Sequence, residues 1–342
     1  MNKTIVLSII GAVVLSAALF WTQQASLENS EIPVQVRNGF MKWKALYNKY
    51  YSNPREENHR LEIFHANYLK VSSHKDESYS LALNKFADLS ESEFIAMHTG
   101  YVKKPRSNSS VTGTSKTEAK SNAPTNVDWR TVGAVQAIKD QMDCGNSYAF
   151  AATSAFESNS FLKGYQLYSF SEQEITDCSW PQGNQGCNGG YTADSFRYIH
   201  FAGGLEATAD YPYKGVDAKC REDSTKFKPP RVVNILYVPS NQCGSLLNEI
   251  VTMPVATSIA SNAIQFYSGG VFSNKYCGTA VNHAVNIVGY GYDKPSGKNY
   301  WIVRNSWGTQ WGESGYIRMD RDIQPPNGIC GICMDPMYPV VS

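Results

Sequence analysis

Three short segments of the chain hold residue types suited to nucleophilic chemistry. The first is Gln141-Met142-Asp143-Cys144-Gly145-Asn146-Ser147-Tyr148-Ala149-Phe150. The second is Val281-Asn282-His283-Ala284-Val285, and the third is Asn305-Ser306-Trp307-Gly308. A hydroxyl or thiol becomes a nucleophile when an imidazole manages its proton and a third group orients that imidazole. His283 lies 136 residues beyond Ser147, and Asn305 lies 158 residues beyond it. Only a large packed domain brings side chains so far apart in sequence together.

The elements available for that task fall into blocks. Residues 31–98 are charged, cysteine-free and helix-patterned. Phe40, Trp43, Tyr47 and Tyr50 recur on one helical face. Asn53-Pro54 stops that pattern, because proline disfavours helix in the residue before it. A second helical run follows with Leu61, Phe64 and Val71, and Tyr79 to Phe86 then alternates like a short strand. Residues 101–124 are rich in Lys, Ser, Thr, Asn, Pro and Gly, a composition too polar to order itself. They read as an exposed, protease-accessible linker with a glycosylation sequon at Asn108-Ser109-Ser110. Helix signals come next. Ala149, Ala152, Thr153 and Phe156 share a face, Ser171 and Glu174 have capping-box spacing, and 196–201 reads as helix. Strand-like runs end the chain at Val232–Val238, Val255–Ile259, Ala284–Tyr290 and Tyr300–Arg304. Helices followed by strands predict an α+β fold with two packed halves.

Composition bounds the function. Lys plus Arg is 31 and Asp plus Glu is 30, so no strong field points to nucleic acid or an anionic membrane. A single Lys before the apolar run from Ile5 to Trp21 reads as a secretory signal peptide cleaved near Ala25. The rival reading is a retained signal anchor, but the run is slightly short for a span and carries Ser8, Gly11 and Ser16. All eight cysteines lie at or after Cys144, and an oxidising compartment lets such cysteines pair. Cys330-x-x-Cys333 has no second pair or histidine nearby, so neither zinc nor any other metal is expected, and nothing calls for a cofactor.

The first segment resembles the papain and cathepsin signature C-G-[SA]-C-[WY], here Cys144-Gly145-Asn146-Ser147-Tyr148, with Ser in the second Cys position. The contexts of His283 and Asn305 match the same family. Glu56, Arg60, Ile63, Phe64, Asn67 and Val71 keep the spacing of its inhibitory propeptide helix, with Lys75 where the last Asn is expected. Ala82, Asn84, Phe86 and Asp88 resemble its second propeptide motif, with Ala for Gly. Asp128-Trp129-Arg130, Cys187-Asn188-Gly189-Gly190 and Cys330-Gly331 extend the match over nearly the whole chain. The resemblance is to the cathepsin L-like branch. It implies a signal peptide (1–25), an inhibitory propeptide with linker (26–122), and a two-lobed papain-like peptidase domain (123–342). That domain would have a helical lobe and a β-barrel-like lobe.

The resemblance also assigns roles. Ser147 would stand at the nucleophile, His283 would be its base, Asn305 would orient His283, and Gln141 would help hold the oxyanion. Elimination agrees on the base. His59, His65, His74 and His98 lie in the part to be removed, and His200 sits in the helical run. Gly189, Gly190, Tyr191, Thr192, Val281, Ala284, Trp307 and Asp335 would bind substrate, with Asp335 at the floor of the main specificity pocket. That floor would admit a basic side chain as well as an apolar one. Cys144 would pair with Cys187, Cys178 with Cys220, and Cys277 with Cys330. Cys243 and Cys333 remain, either as a fourth pair or as two thiols.

A serine alters this chemistry. An alcohol ionises far less readily than a thiol of pKa about 8.5, so a helix dipole and an ion pair cannot supply a standing nucleophile. Serine needs a neutral imidazole backed by a carboxylate, and an Asn in that third place costs about four powers of ten in serine proteases. The expectation is a secreted, lysosomal or vacuolar zymogen homologue with weak or absent peptidase activity. Its partners would be a peptide or protein substrate and its own propeptide. Two alternatives are an active serine hydrolase of peptides or esters and a silica-condensing protein. Silicateins resemble cathepsin L, carry Ser at this place and share the run Ser147-Tyr148-Ala149-Phe150. Their serine cluster before the histidine is absent from Asn274–Ala280.

Overall fold

A computed structural model describes residues 32–106, 110–116, 123–323 and 326–342. The signal-peptide reading and Asn108 lie outside the described residues. The chain divides into two compact units, one ending at Tyr68 and the other starting at Leu69.

The described part of the first unit is helical. α1 (Val34–Leu46) buries Val36, Phe40 and Trp43. α2 (Pro54–Ser72) starts with proline at its first position, where the missing N–H costs nothing. Asn53 Oδ1 caps it by accepting the Glu56 N–H at 3.0 Å. Phe64 of α2 meets Phe40 edge-on at 5.3 Å and Trp43 at 5.5 Å. The aromatic stripe is shorter than its spacing predicts. α1 stops at Leu46, Asn48 turns left-handed at φ 51°, and Tyr50 is 88% exposed.

The second unit is α+β. β1 (Tyr79–Leu81) is shorter than the expected run to Phe86, because Asn84 Oδ1 accepts the Phe86 N–H and makes a turn. α3 (Glu91–His98) has a complete capping box between Ser90 and Glu93. The linker then departs from its composition. Tyr101 is buried, and β2 (Thr112–Thr114) lies parallel to β4 (Val232–Tyr237). Backbone pairing at a sheet edge orders the polar residues of β2, while Tyr101 is held in the apolar core; Ile235 N–H donates to Val111 O at 3.0 Å.

β3 (Val127–Asp128) precedes α4 (Ser147–Leu162), which is buried all round, its polar side chains included, from Ser147 to Ser160. α5 (Glu172–Cys178) has only half of the expected capping box. Ser171 accepts the Glu174 N–H, but the Glu174 carboxylate instead accepts from Tyr198 and from the Glu206 N–H. Burial lifts that carboxyl to about 7. α6 (Thr192–Ala202) closes the helical lobe, and His200 in it bonds Val232 O. α7 (Cys243–Ile250), β5 (Val255–Ile259), β6 (Tyr267–Phe272), β7 (His283–Asp293), β8 (Lys298–Arg304), β9 (Tyr316–Asp320) and β10 (Met337–Val341) complete the chain.

The sheet order is β1-β6-β9-β8-β7-β5-β10-β4-β2, with β3 on β7. Two cores flank it. One gathers Tyr148, Phe156, Phe170, Ile175, Phe196 and Ile199 with β4 and β10. The other gathers Ile287, Trp301, Val303, Trp307, Trp311 and Ile317. The expected α+β fold with two packed halves is therefore borne out.

Candidate active site

The site lies where α4 meets β7. Its helical side is pinned by the Cys144–Cys187 disulfide and by the Gly145 N–H donating to Cys187 O at 3.0 Å. Asn146, the N-cap, spends its side chain on Thr176 and Tyr213 instead of on the helix. Ser147 opens α4 and is fully buried. Its Oγ accepts the Ala284 N–H at 3.1 Å.

His283 opens β7 beside it. Its Nε2 lies 2.7 Å from Asn305 Oδ1, which also accepts the Ser306 N–H at 2.8 Å. An oxygen accepting from both makes Nε2 the protonated ring nitrogen. Nδ1 therefore carries a lone pair, and it is buried without a partner. Trp307 stacks on the imidazole at 4.5 Å. Burial pulls His283 down to about 4, against the upward pull of the Asn305 bond, so the ring is neutral at pH 7. Gln141 is locked: its Nε2 donates to Cys144 O at 2.8 Å, and its Oε1 accepts from Ser306 Oγ at 2.6 Å. Met142 is half-exposed, with left-handed backbone, and its sulfur lies against Gly215.

Residues 98–106 run along this site. The Trp307 indole donates to His98 O at 2.9 Å, and His98 Nδ1 meets Met142 O at 2.9 Å. Burial lowers His98, and Asp143 opposes that. Gly100 passes so close to Gly145 that a Cβ would fall 1.8 Å from its oxygen. A Cβ on Gly189 would likewise meet Gly100 O at 2.6 Å. Three backbone bonds hold the segment at 2.8 Å each: Gly190 N–H to Gly100 O, Tyr101 N–H to Asn282 O, and Val102 N–H to Gly190 O.

Tyr101 enters the pocket expected from Tyr191, Val281, Ala284 and Asp335. It joins Tyr191 and Ala284 in one buried cluster, with Val281 packed against it. Its hydroxyl donates to Asp335 Oδ2 in a short bond, and Arg106 reaches Oδ1 at 3.5 Å. Asp335 is fully buried, and Thr192, also buried, starts α6 next to Tyr191.

The papain family cysteine protease domain matches residues 123–340, and the cathepsin propeptide inhibitor domain matches residues 40–94. The chain belongs to the papain family of cysteine proteases. A KDEL-tailed cysteine endopeptidase of Arabidopsis thaliana is 37% identical, covering 99% of this chain and 95% of its own. Fruit bromelain of Ananas comosus is 36% identical, covering 94% and 91%. Among solved structures, digestive procathepsin L 3 of Tenebrio molitor superposes with a TM-score of 0.81 at 36% identity, covering 90% of this chain and all of that one.

Within this papain-family frame, the structure brings His283, Asn305, Trp307 and Ser147 into one contact network, with Gln141 tied to it through Ser306. Disulfides join Cys144–Cys187, Cys178–Cys220 and Cys277–Cys330, and also Cys243–Cys333, where the sequence left two readings open. Sequence reasoning missed Tyr101 and Arg106, hidden in a polar linker with no apolar period. It also missed the part-buried Lys139 and the buried charges Glu157, Glu172 and Arg304, which are scattered along the chain. Among the described residues no helix is long and apolar enough to cross a membrane.

Proposed function

We propose that the chain is the zymogen of a papain-family peptidase homologue in which Ser147 replaces the nucleophilic cysteine, leaving peptide hydrolysis weak or absent. One observation carries this reading. Ser147 Oγ rests on the Ala284 N–H, while His283 Nδ1, the nitrogen that would take its proton, is left without a partner. Attack needs that hydroxyl to turn onto Nδ1, and the group behind the imidazole is the neutral amide of Asn305, not a carboxylate.

A signal peptide of 1–25, a propeptide of 26–122 and a peptidase domain of 123–342 fit the composition breaks. They suit a protein that is secreted or sent to a lysosome or vacuole. The segment from His98 to Arg106 would block the groove until it is cut away. Asp335, which meets a phenol and a guanidinium inside the chain itself, would receive a basic or phenolic substrate side chain.

A second reading, a slow serine hydrolase, has one observation in its favour. His283 is neutral with an open Nδ1, the form that a serine requires. Turnover of a peptide and an ester by the processed protein separates the two. Hydrolysis abolished by Ser147→Ala would establish the hydrolase. Condensation of a silicon alkoxide, lost in the same variant, would instead support the silicatein-like alternative.

A further inference from the structure

Behind Asn305 lies a cavity of about 20 Å³, lined by residues of α4, β7 and the end of β8. That is room for one water molecule. Three of its lining side chains carry buried polar atoms with no protein partner: Ser154 Oγ, both amide atoms of Asn286, and Asn305 Nδ2. All three residues are at most 4% exposed. The charged side chains of the lining are already served. Lys139 bonds Glu157, Glu172 and Phe170 O, while Arg304 bonds Ala137 O and pairs with Glu157. The unspent hydrogen-bonding capacity thus belongs to these three residues.

We propose that one buried water, held by Ser154, Asn286 and Asn305, orients Asn305 and through it His283. A buried amide or hydroxyl without a partner is costly, and a polar cavity of this size takes up water instead of staying dry. The donors and acceptors match. The water accepts from Asn305 Nδ2–H, donates to Ser154 Oγ, and meets Asn286 through either end of its amide. The elements converge for this purpose. Ser154 lies seven residues after Ser147 on α4, hence on the same helical face. Asn286 lies on β7, three residues after His283, and pairs across the sheet with Arg304, which precedes Asn305.

The consequence concerns His283. Asn305 Oδ1 already holds Nε2–H and the Ser306 N–H. A bond on Nδ2 adds the remaining restraint on the amide plane and stops it from turning over. Ser154 and Asn286 are therefore positioning residues, acting through Asn305 without touching the reacting atoms. This rests on the reading of His283 and Asn305 as base and orienter, but not on any turnover by Ser147.

Two measurements on the full chain test it. The first is a crystal structure fine enough to place ordered water. It should show a water within about 3.2 Å of Asn305 Nδ2 and of Ser154 or Asn286. The second is 15N NMR of the histidine rings, which should show His283 as a single Nε2–H tautomer. Asn286→Leu should expel the water and mix the tautomers, whereas Asn286→Ser should keep both signatures. Ser154→Ala, which removes one oxygen, serves if the leucine variant fails to fold, and should loosen the tautomer in the same direction. In a Ser147→Cys chain with its linker cut, Asn286→Leu should lower kcat about tenfold with KM unchanged, since small misplacements are costly. An empty cavity in a well-ordered map, or a pure Nε2–H tautomer in both variants, overturns the inference. Inactivity of the Ser147→Cys chain would instead count against the proposed function and leave the water and tautomer results to decide this one.

Discussion

Ser147 Oγ and the backbone N–H of Ala284 are 3.1 Å apart, and that bond holds the hydroxyl on the residue next to His283, not on His283 itself. A sulfur has far less use for a hydrogen bond from an amide, and it ionises at much lower pH than an alcohol. Ser147→Cys, after removal of residues up to the linker, should therefore raise peptide turnover by orders of magnitude and create reactivity toward a thiol-directed inhibitor. The variant should also be made with Met142→Gly, because Met142 sits beside the oxyanion position implied by Gln141. Failure of both variants to cleave or react would replace the hydrolase reading with that of a binding protein. A wild type that already matches the cysteine variant would refute the impairment.

The Tyr101 hydroxyl donates to Asp335, which ties the linker to the residue expected at the pocket floor. A hydrogen bond to a charged, buried partner is worth about 1.5–3 kcal/mol. Tyr101→Phe keeps the ring and deletes only that bond. Once the linker is cut, the segment ending at Tyr101 should leave the domain about ten to a hundred times more readily in this variant. Release can be followed by size exclusion. Equal retention of the Phe variant would mean that the ring and backbone bonds suffice and that Asp335 contributes nothing to inhibition.

How much of this was legible in the sequence depends on how local each cause is. The strand at Val255–Ile259 was visible because β-branched residues alternate within one segment, and α4 because small and apolar residues fill one helical turn after another. Tyr101 was not visible. Its burial comes from Asn282, Gly190 and Asp335, all distant in sequence, and its polar neighbours suggested solvent. Cys243 and Cys333 are 90 residues apart, and nothing local to either shows that α7 brings them into reach. The turn at Asn84 overruled a strand pattern because one side-chain oxygen offered the backbone a better partner.

His283 makes stability depend on pH in a defined direction. Burial lowers its folded pKa from 6.5 to about 4, so the unfolded chain binds a proton in that window and the folded chain does not. Stability should therefore fall as pH falls from 6.5 to 4, by about 1.4 kcal/mol per unit and about 3 kcal/mol in all. His98 is shifted in the same direction, so the contribution has to be read as a difference between wild type and His283→Gln. Urea unfolding at several pH values gives that difference. A wild-type-minus-variant curve that stays flat between pH 4 and 6.5 would show that His283 is not buried neutral.

Lys139 supports the site from below and is the most exacting place to test the packing around it. Its Nζ donates to Glu157 at 3.0 Å, Glu172 at 2.6 Å and Phe170 O at 2.9 Å, which uses all three protons. Burial pulls its pKa down, but the two carboxylates outweigh that and raise it. Arg304 stands 3.4 Å from Glu157, so two cations face two anions. Lys139→Met removes one cation of similar reach and leaves an uncompensated buried carboxylate, a loss of about 3–5 kcal/mol. The variant can relieve this by protonating a glutamate in the folded state. A folded-state pKa raised above the unfolded value gives stability that is present at low pH and lost as pH rises. The deficit of Lys139→Met should thus be smaller at pH 5 than at pH 8. Adding Glu172→Leu should recover part of it at pH 8, because the orphaned charge is gone. Urea midpoints for the wild type, the single variant and the double variant at both pH values decide the matter. A deficit independent of pH, with no recovery in the double variant, would mean that Lys139 acts through packing alone and that the four charges are not a coupled set.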